Sequence, residues 1–459
     1  MSIILTAKGS LDQHLIGNPQ ISFFKIVYRR HTNFSMQPMQ IPLEGNITDT
    51  GGYFQTKISR SGDLINKLWF DCRISASNSS SLTSNDYFTW TRNTGAAYIK
   101  DYSLQIGQQI IDKQDSDFLN IYSEIYDPFN DSWSGLNKSV ARDKVYYNQE
   151  FSINHAGMNP NGYLQLYIDL HFWFCKENRP ALPIICIQNQ DITLNYNIRS
   201  TASLINGSFA TTAVILYNTD TLKLYGNYIY LDTDERRRFV QTTQEYLIEQ
   251  IQYLSKDLIP GSTNNIQLNF NNPIKQLFWF IRNNKSNTEV LSDGSNSHVY
   301  YKPQNLDVDV QFDLENNHRR FSNNDYFNYN ASSMDANLNQ EFIANVRTNY
   351  NFKTANISVN DVELFSPQKT SFFELQTYNH AHVKLDTSGG LFMYSFALKP
   401  EGYQPTGTFN MTYVDRCTLN LYDVKFDSTN DGPTHVKVYA INYNILRIMS
   451  GMAALAYNN

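Results

Sequence analysis

The chain has 459 residues and carries 37 lysines and arginines against 43 aspartates and glutamates, which gives a formal net charge of −6. Charged residues make up 17% of the chain and aromatic residues 14%, whereas soluble domains usually contain about 25% charged residues. This composition excludes a disordered chain or a fibre. The acidic balance argues against a protein that coats nucleic acid, because such proteins present a basic stripe. At about 150 residues per domain, the length predicts two or three domains.

The N-terminal region joins an apolar segment to a cluster of positive charge. The sequence from Gly17 to Phe34 opens with a turn and continues with mainly apolar residues. Its basic residues are Lys25, Arg29, Arg30 and His31. On an acidic protein, such a basic arm predicts contact with an acidic neighbour or a membrane surface. The simpler alternative is a first strand with a charged rim.

The sequence shows no signature of export. The apolar run at residues 3–5 is short for a signal peptide, and no stretch reaches the ~20 apolar residues that a membrane helix requires. Four scattered cysteines without a CxxC pair predict free thiols in a reducing compartment. Asn-x-Ser/Thr sequons are frequent in this asparagine-rich chain and do not by themselves predict glycosylation. The candidate acceptors are Asn284, Asn330 and Asn356.

Alternation of apolar and polar residues with a period of two dominates the chain. It is clearest in Tyr163–Phe174, Asp191–Ile198 and Leu306–Leu314. Such strands have one buried and one wet face, which is typical of antiparallel sandwiches. Long loops rich in Asn, Ser and Gly separate them. The pattern therefore predicts an all-β chain with long loops.

A helix is predicted near the middle of the chain. Asp232 and Glu235 have the spacing of a capping box, and the residues that follow, up to Gln241, would form a short helix. The next segment, Glu245–Tyr253, fits a helix or a strand.

The sequences on the two sides of this helix resemble each other weakly, but in the same order. The matched pairs are Ile65–Phe70 with Ile274–Phe280, Leu104–Ile106 with Val310–Phe312, and Thr193–Asn195 with Thr418–Asn420. Any one pair has the size of a chance match, whereas three in order favour a duplicated β-domain. We therefore predict two tandem β-sandwiches.

Catalytic signatures are missing from the sequence. It contains no P-loop, GxGxxG, GxSxG or HExxH motif. The carboxylates Asp307, Asp309 and Asp313 suit a glycosidase or a calcium site, but the wet face of a strand explains them more simply. We therefore predict no enzyme, metal or cofactor. The alternative class is a glycan-binding or glycoside-processing β-sandwich protein, which glycan binding and hydrolysis assays would distinguish.

Eight segments have more distinctive sequences than the alternating pattern of a strand requires. They are Leu15–Lys25, Tyr28–Phe34, Ile58–Ile65, Leu231–Phe239, Glu245–Gln250, Tyr394–Pro400, Gln404–Gly407 and Asn442–Met452. In these segments the chain resembles the major capsid proteins of the nucleocytoplasmic large DNA viruses, most closely the chlorella-virus and mimivirus-like branches. The likeness extends over residues 15–457, essentially the whole chain, and leaves out the long loops.

The resemblance implies an all-β double jelly roll, which is two tandem eight-stranded antiparallel jelly rolls with short connecting helices and long loops. Residues 1–24 would form an N-terminal arm, 25–230 the first jelly roll, 231–245 a helical connector and 246–459 the second jelly roll.

The resemblance also implies a structural role in the virion capsid. The protein would form homotrimers, and these pseudo-hexagonal capsomers would tile an icosahedral shell made in the host cytoplasm. Its partners would be neighbouring capsomers, minor capsid proteins and an internal membrane, without direct binding of nucleic acid. Lys25, Arg29, Arg30 and His31 would dock onto the inner components. A minor or paralogous capsid protein is the alternative within this family.

Overall fold

The structure, a computed structural model, describes residues 8–10, 12–20, 22–24, 26, 28, 30–45, 51–74, 87–90, 94–126, 164–200, 205–208, 222–283, 352–381, 390–424 and 434–457. Strands dominate these residues, as predicted, and pair antiparallel throughout. They fall into two halves that meet near residue 232.

The first half is a pair of sheets with short helices at their margins. Its strands are β1 (Phe34–Ile41), β2 (Gly52–Lys57), β3 (Leu64–Ile74), β4 (Tyr87–Trp90), β5 (Ile99–Ile106), β6 (Gln109–Asp115), β7 (Leu164–Asp169), β8 (Ile192–Ile198), β9 (Ile205–Ser208) and β10 (Lys223–Leu231). Its helices are α1 (Gln13–Ile16), α2 (Thr94–Tyr98), α3 (Ser116–Tyr126) and α4 (Trp173–Lys176), with a 3-10 turn at Ile184–Cys186. The sheets have the orders β1-β10-β3-β7 and β2-β8-β5-β6, and β4 pairs with β9.

The second half begins with a helix and repeats the arrangement. Its helices are α5 (Thr233–Gln241) and α6 (Thr370–Ala381), with a 3-10 turn at Met411–Tyr413. Its strands are β11 (Gln244–Asp257), β12 (Asn264–Gln267), β13 (Pro273–Asn283), β14 (Thr354–Val359), β15 (Val362–Glu363), β16 (Gln368–Lys369), β17 (Leu391–Ser395), β18 (Phe409–Asn410), β19 (Cys417–Tyr422), β20 (Thr434–Met449) and β21 (Met452–Leu455). The sheet paths are β11-β20-β13-β17 and β12-β19-β14-β15.

The two halves have the same topology. Each strand on the two sheet paths of the first half has a counterpart at the same position in the second, so that β1 corresponds to β11 and β10 to β20. Two of the three sequence matches lie on equivalent strands, namely β3 with β13 and β8 with β19. The third match is wrong, because the sheet order makes β14 the counterpart of β5, whereas Val310–Phe312 lies outside the described residues. The duplication itself is confirmed.

The alternating pattern predicts β8 well and β7 less well. In β8 the residues predicted to face inward, Ile192, Leu194, Tyr196 and Ile198, are all buried. The pattern beginning at Tyr163 ends as a strand at Asp169, and the chain then turns into α4. Three consecutive aromatic side chains, residues 172–174, are buried there. A strand with one wet face cannot bury consecutive residues, and a helical turn can. Leu306–Leu314 lies outside the described residues.

The predicted helix is present, but its cap differs from a capping box. Asp232 is the N-cap of α5, and its Oδ1 accepts a hydrogen bond from the Thr233 amide at 2.8 Å. The Asp232 amide donates to the Asn33 carbonyl at 3.2 Å, so that this donor is satisfied by the chain entering β1 rather than by Glu235. The segment left open between helix and strand, Glu245–Tyr253, lies within strand β11.

The sheet β11-β20-β13-β17 is buried on both faces, and we call the contact on its outer face, against the first half, the barrel junction. In β13, Leu277, Trp279 and Ile281 belong to the core of the second half. Phe278 and Phe280 point to the opposite face and join the core of the first half. A sheet covered on both faces needs apolar residues at consecutive positions, which explains this unbroken apolar run.

We predict that Phe280→Ala destabilises the protein by about 3–5 kcal/mol, because it removes a fully buried aromatic side chain and leaves a cavity at the barrel junction. Denaturant unfolding, followed by tryptophan fluorescence, measures this change. Tyr413→Ala is the control, since the Tyr413 side chain is 87% exposed. Equal stabilities of the two variants would contradict the structural role of the junction.

Candidate assembly site

The segment before the first strand exposes large apolar side chains, and we call residues 8–33 the arm. Phe23 is 88% exposed and Phe24 100%, and Ile26 and Tyr28 are also exposed. Contiguous apolar side chains in water mark a surface that binds a partner. Because β1 begins at Phe34, the segment continues past residue 24, where the predicted arm ends.

The predicted assembly residues lie in this arm. Arg30 and His31 are exposed, and the His31 ring pairs through Nδ1 with the Thr32 carbonyl at 2.7 Å. Lys25 and Arg29 lie outside the described residues. The structure therefore places Arg30 and His31 where a partner can reach them.

A buried group of charged residues crosses the barrel junction, and we call it the Asp117 cluster. Asp115 and Asp117 come from the end of β6 and the start of α3, and Arg282, Lys437 and Tyr439 come from β13 and β20. Arg282 pairs with Asp117, and Lys437 contacts both carboxylates, at 2.9 Å from Asp117 Oδ2. The Tyr439 hydroxyl donates to Asp115 at 2.8 Å.

The charges of this cluster are mutually dependent. Burial alone would raise the pKa of the Asp117 carboxyl, but the opposing charges of Arg282 and Lys437 outweigh burial and hold that pKa well below its ordinary value. Burial would lower the pKa of Lys437, and the Asp117 and Asp115 carboxylates raise it instead. Removing one member leaves an uncompensated charge away from water, which is far more costly than the pair itself is stabilising.

A second ionic group lies further along the junction, and we call it the Glu249 cluster. Lys176 of α4 contacts Glu249 of β11 at 2.6 Å, and Lys275 of β13 pairs with the other carboxylate oxygen. Lys275 also donates to the Pro400 carbonyl at 2.7 Å. Burial would raise the pKa of Glu249, but the two lysines lower it to about 2. Burial lowers the pKa of Lys275 to about 8, against the opposing effect of Glu249.

Between these two clusters, further polar contacts join the two halves of the chain. Asp112 Oδ1 accepts a hydrogen bond from the Ile251 amide at 3.1 Å, and the Gln250 side chain donates to the Ile111 carbonyl. Asp112 also accepts from Gln114 at 2.6 Å. Burial raises the pKa of the Asp112 carboxyl to about 6, although these hydrogen bonds oppose the shift.

The C-terminal hairpin of β20 and β21 fastens the second half to the first. The Asn189 amide donates to the Gly451 carbonyl at 3.0 Å, and the Ala453 amide donates to Gln190 Oε1 at 2.7 Å. The Leu455 amide donates to Gln109 Oε1 at 3.1 Å. The hairpin is therefore hydrogen-bonded to the first half of its own chain, although Met449, Met452 and Tyr457 remain more than half exposed.

A cavity of about 540 Å³ opens at the junction beside the Glu249 cluster, and we call it the junction pocket. Its walls come from α4, from β11 and from the turn at residues 400–405. Its volume lies within the range of ligand pockets, which is roughly 300–1,000 Å³.

In the described ranges, no group of three or more His, Cys, Asp or Glu side chains is arranged to hold a metal ion. No helix in the same ranges is long and apolar enough to cross a bilayer.

Two of the candidate glycan acceptors, Asn284 and Asn330, lie outside the described residues. The third, Asn356, is fully buried in β14, where its Oδ1 accepts from Asn420 Nδ2 at 2.9 Å. A glycan needs a solvent-exposed acceptor, so the prediction for Asn356 is wrong for the folded chain.

Sequence reasoning missed the junction. The signal was a charged residue inside or next to an apolar strand, as for Lys275, Arg282 and Lys437. Long charged side chains are almost never fully buried unless they are paired. The pattern identifies such residues but not their partners. Asp117, for example, is 165 residues from Arg282 and 320 residues from Lys437 along the chain.

Comparison with known proteins covers the whole described fold. Residues 22–232 match a family model described as major capsid protein N-terminus, and residues 235–454 match one described as large eukaryotic DNA virus major capsid protein. The chain is 35% identical to the major capsid protein of Pyramimonas orientalis virus, covering 99% of this chain and 98% of that protein. It is 31% identical to the major capsid protein of Paramecium bursaria Chlorella virus 1, with the same coverage of both chains.

Solved structures give the same result. A chain of the PBCV-1 virus capsid superposes with a TM-score of 0.70 at 27% identity, covering 95% of this chain and 100% of that one. The Faustovirus major capsid protein superposes with a TM-score of 0.65 at 11% identity, covering 96% of this chain and 94% of that one, which shows that the fold is shared.

We predict that Asp117→Asn lowers the free energy of unfolding by about 3–5 kcal/mol, because it leaves Arg282 buried beside a neutral amide and Lys437 with Asp115 as its only carboxylate in the cluster. Glu245→Gln is the matched control. Glu245 pairs with Arg447 at 2.8 Å, but both side chains are about half exposed, so its loss should cost less than about 1 kcal/mol. Urea unfolding of both variants measures the difference, and a small effect for Asp117→Asn would contradict it.

The raised pKa of Asp112 predicts a pH effect of opposite sign to that of Asp117. A carboxyl with a raised folded pKa destabilises the fold at high pH, and the penalty disappears as the pH falls from about 6 towards 3.8. Wild type should therefore gain stability relative to Asp112→Asn between pH 7 and pH 4, on the order of 3 kcal/mol. Denaturation at both pH values tests this, with Asp361→Asn as the exposed control. A pH-independent difference for Asp112→Asn would refute the assignment.

Proposed function

The chain belongs to the large eukaryotic DNA virus major capsid protein family, and from this membership we propose that it is a structural subunit of a virion shell, where it packs with other capsid subunits. The observation that carries the proposal is the double jelly roll that aligns over 99% of the chain with a viral major capsid protein. The role requires binding between subunits and no catalysis.

We further propose that the subunit forms a homotrimer. Each chain supplies two barrels with equivalent sheet orders, so a threefold ring of chains presents six similar bodies. Six similar bodies make a pseudo-hexagonal capsomer, which can tile an icosahedral face with neighbouring capsomers. The buried ionic clusters support this proposal because they hold both barrels of one chain as a single rigid unit.

The arm is proposed to act on the inner side of the shell, where minor capsid proteins and an internal membrane would be its partners. Its exposed aromatic side chains and its basic residues suit an apolar or acidic surface. The net charge of −6 supports a subunit that does not bind the nucleic acid directly.

Assembly is proposed to take place in the host cytoplasm. Cys72, Cys175, Cys186 and Cys417 are all free thiols. Burial raises the pKa of each of them, so that the reactive thiolate form is disfavoured. A subunit without disulfides suits a reducing compartment.

Light scattering on a sizing column tests the trimer. We expect a species of about three times 53.0 kDa that persists on dilution, because permanent subunit interfaces are large and apolar. Electron microscopy of concentrated trimers should then show sheets or shells. A monomer at all concentrations would overturn the homotrimer, and turnover of a glycan would count against a purely structural role.

Arg29→Ser combined with Arg30→Ser tests the arm. We expect trimers of normal mass and stability that fail to build shells, because the arm lies outside both cores and its charge is needed only for docking. The matched control is Arg237→Ser combined with Arg238→Ser, which removes two exposed arginines from α5. Normal shells from the arm variant, or equal loss of shells in the control, would contradict the docking role.

A further inference from the structure

The junction pocket contains a polar side chain that the fold leaves unsatisfied. Gln276 of β13 is fully buried and lines the pocket. Neither its Nε2 nor its Oε1 has a hydrogen-bond partner within the described part of the chain. A buried amide without partners costs about 1–3 kcal/mol. Because this side chain has no accessible surface in the single chain, a peptide in the pocket satisfies the amide, with a donor and an acceptor, only when the wall shifts to admit it.

The walls and rim of the pocket indicate what kind of peptide it takes. Five aromatic residues line it, and they are Tyr122, Trp173, Tyr246, Tyr403 and Tyr443. The lining carboxylates are those of Glu177, Glu245, Glu249 and Glu401. Glu249 pairs with the two lysines of its cluster, and Glu245 pairs with Arg447. Aromatic faces bind aromatic side chains and cations, and an excess of carboxylates attracts positive charge. The pocket therefore suits a segment that is both aromatic and basic.

The arm is such a segment. No acidic residue occurs between Asp12 and Glu44, whereas Lys25, Arg29 and Arg30 lie within that stretch. Its aromatic side chains are unsheltered in the single chain, with Phe24 fully exposed. The basic residues of the arm thus complement the carboxylates of the pocket, and the exposed aromatic side chains of the arm match the aromatic walls of the pocket.

The root of the arm is connected to the rim of the pocket through α5. The arm joins the body where the Asp232 amide bonds to the Asn33 carbonyl, and α5 leads from there to Glu245 at the pocket rim. The arm of the same chain nevertheless leaves its aromatic side chains in water rather than in the pocket.

We propose that the junction pocket receives the arm of a second copy of this chain, with Phe23 and Phe24 between its aromatic walls and the arm's basic residues against its acidic rim. The inference rests on the proposed assembly function and names one partner of the arm. Arm exchange links neighbouring subunits, and because each shell contains many copies, a weak single contact becomes a strong collective one.

Photo-crosslinking in the full-length protein tests the proposal. One copy carries a photoreactive phenylalanine analogue at position 24 together with Tyr403→Phe, and it is co-expressed with the wild-type chain. After irradiation of the assembled material, mass spectrometry identifies the peptide joined to the arm. With the wild-type chain in large excess, two labelled copies seldom meet. A cross-link to the peptide that contains Tyr403 then comes from a second copy, and one to the peptide with phenylalanine at 403 comes from the same copy.

We expect the cross-link to the wild-type Tyr403 peptide to predominate. Glu177→Lys in the wild-type partner should lower its yield at least fivefold, because it reverses a charge at the rim. Gln276→Met should also lower the yield without lowering the thermal midpoint, because it removes the unsatisfied amide. The control is Glu363→Lys in β15, which changes an exposed carboxylate outside the pocket and should leave the yield unchanged.

Three results would overturn the inference. They are cross-links confined to the same copy, cross-links to a surface other than the pocket, and yields that do not respond to Glu177→Lys or Gln276→Met. These results are distinguishable from failure of the assembly function, because wild-type trimers and shells would still form. If wild type forms neither, the proposed function fails before the pocket is tested.

Discussion

The barrel junction depends on carboxylates that are taken out of water and must be neutralised by the opposite half of the chain. Apolar contact between Phe280 and the first core supplies attraction without direction, so that contact alone permits sliding. The pairing of Asp117 with Arg282 and Lys437 has direction, because each charge is stable only when its partner is in place. The two barrels are therefore held in one relative position.

This constraint accounts for features that are unusual for strands. The sheet at the junction is buried on both faces, so β13 alternates between two cores rather than between a core and water. The C-terminal hairpin returns to the first half, where Ala453 and Leu455 donate backbone hydrogen bonds to glutamine side chains. The arm precedes both barrels, and its exposed Phe23 and Phe24 are suited to a partner rather than to the body.

Much of the architecture could be predicted from the sequence because it depends on local patterns. The period-two alternation in Ile192–Ile198 identifies an inward face correctly, and the recurrence of Ile65–Phe70 at Ile274–Phe280 identifies equivalent strands. The resemblance to large DNA virus major capsid proteins is confirmed by comparison over nearly the whole chain. Short matches were less reliable, since the sheet order does not support the match of Leu104–Ile106 to Val310–Phe312.

The all-β class, the duplication and the basic, aromatic character of the arm follow from the sequence alone, because side-chain periodicity and composition are properties of neighbouring residues. Which charges meet depends on the tertiary structure. Asp117 and Lys437 are 320 residues apart and are brought together by the packing of one barrel on the other. It also decided that Asn356 is buried and that Gln276 faces a pocket without a partner. Burial and pairing depend on residues distant in the chain, and no local pattern contains that information.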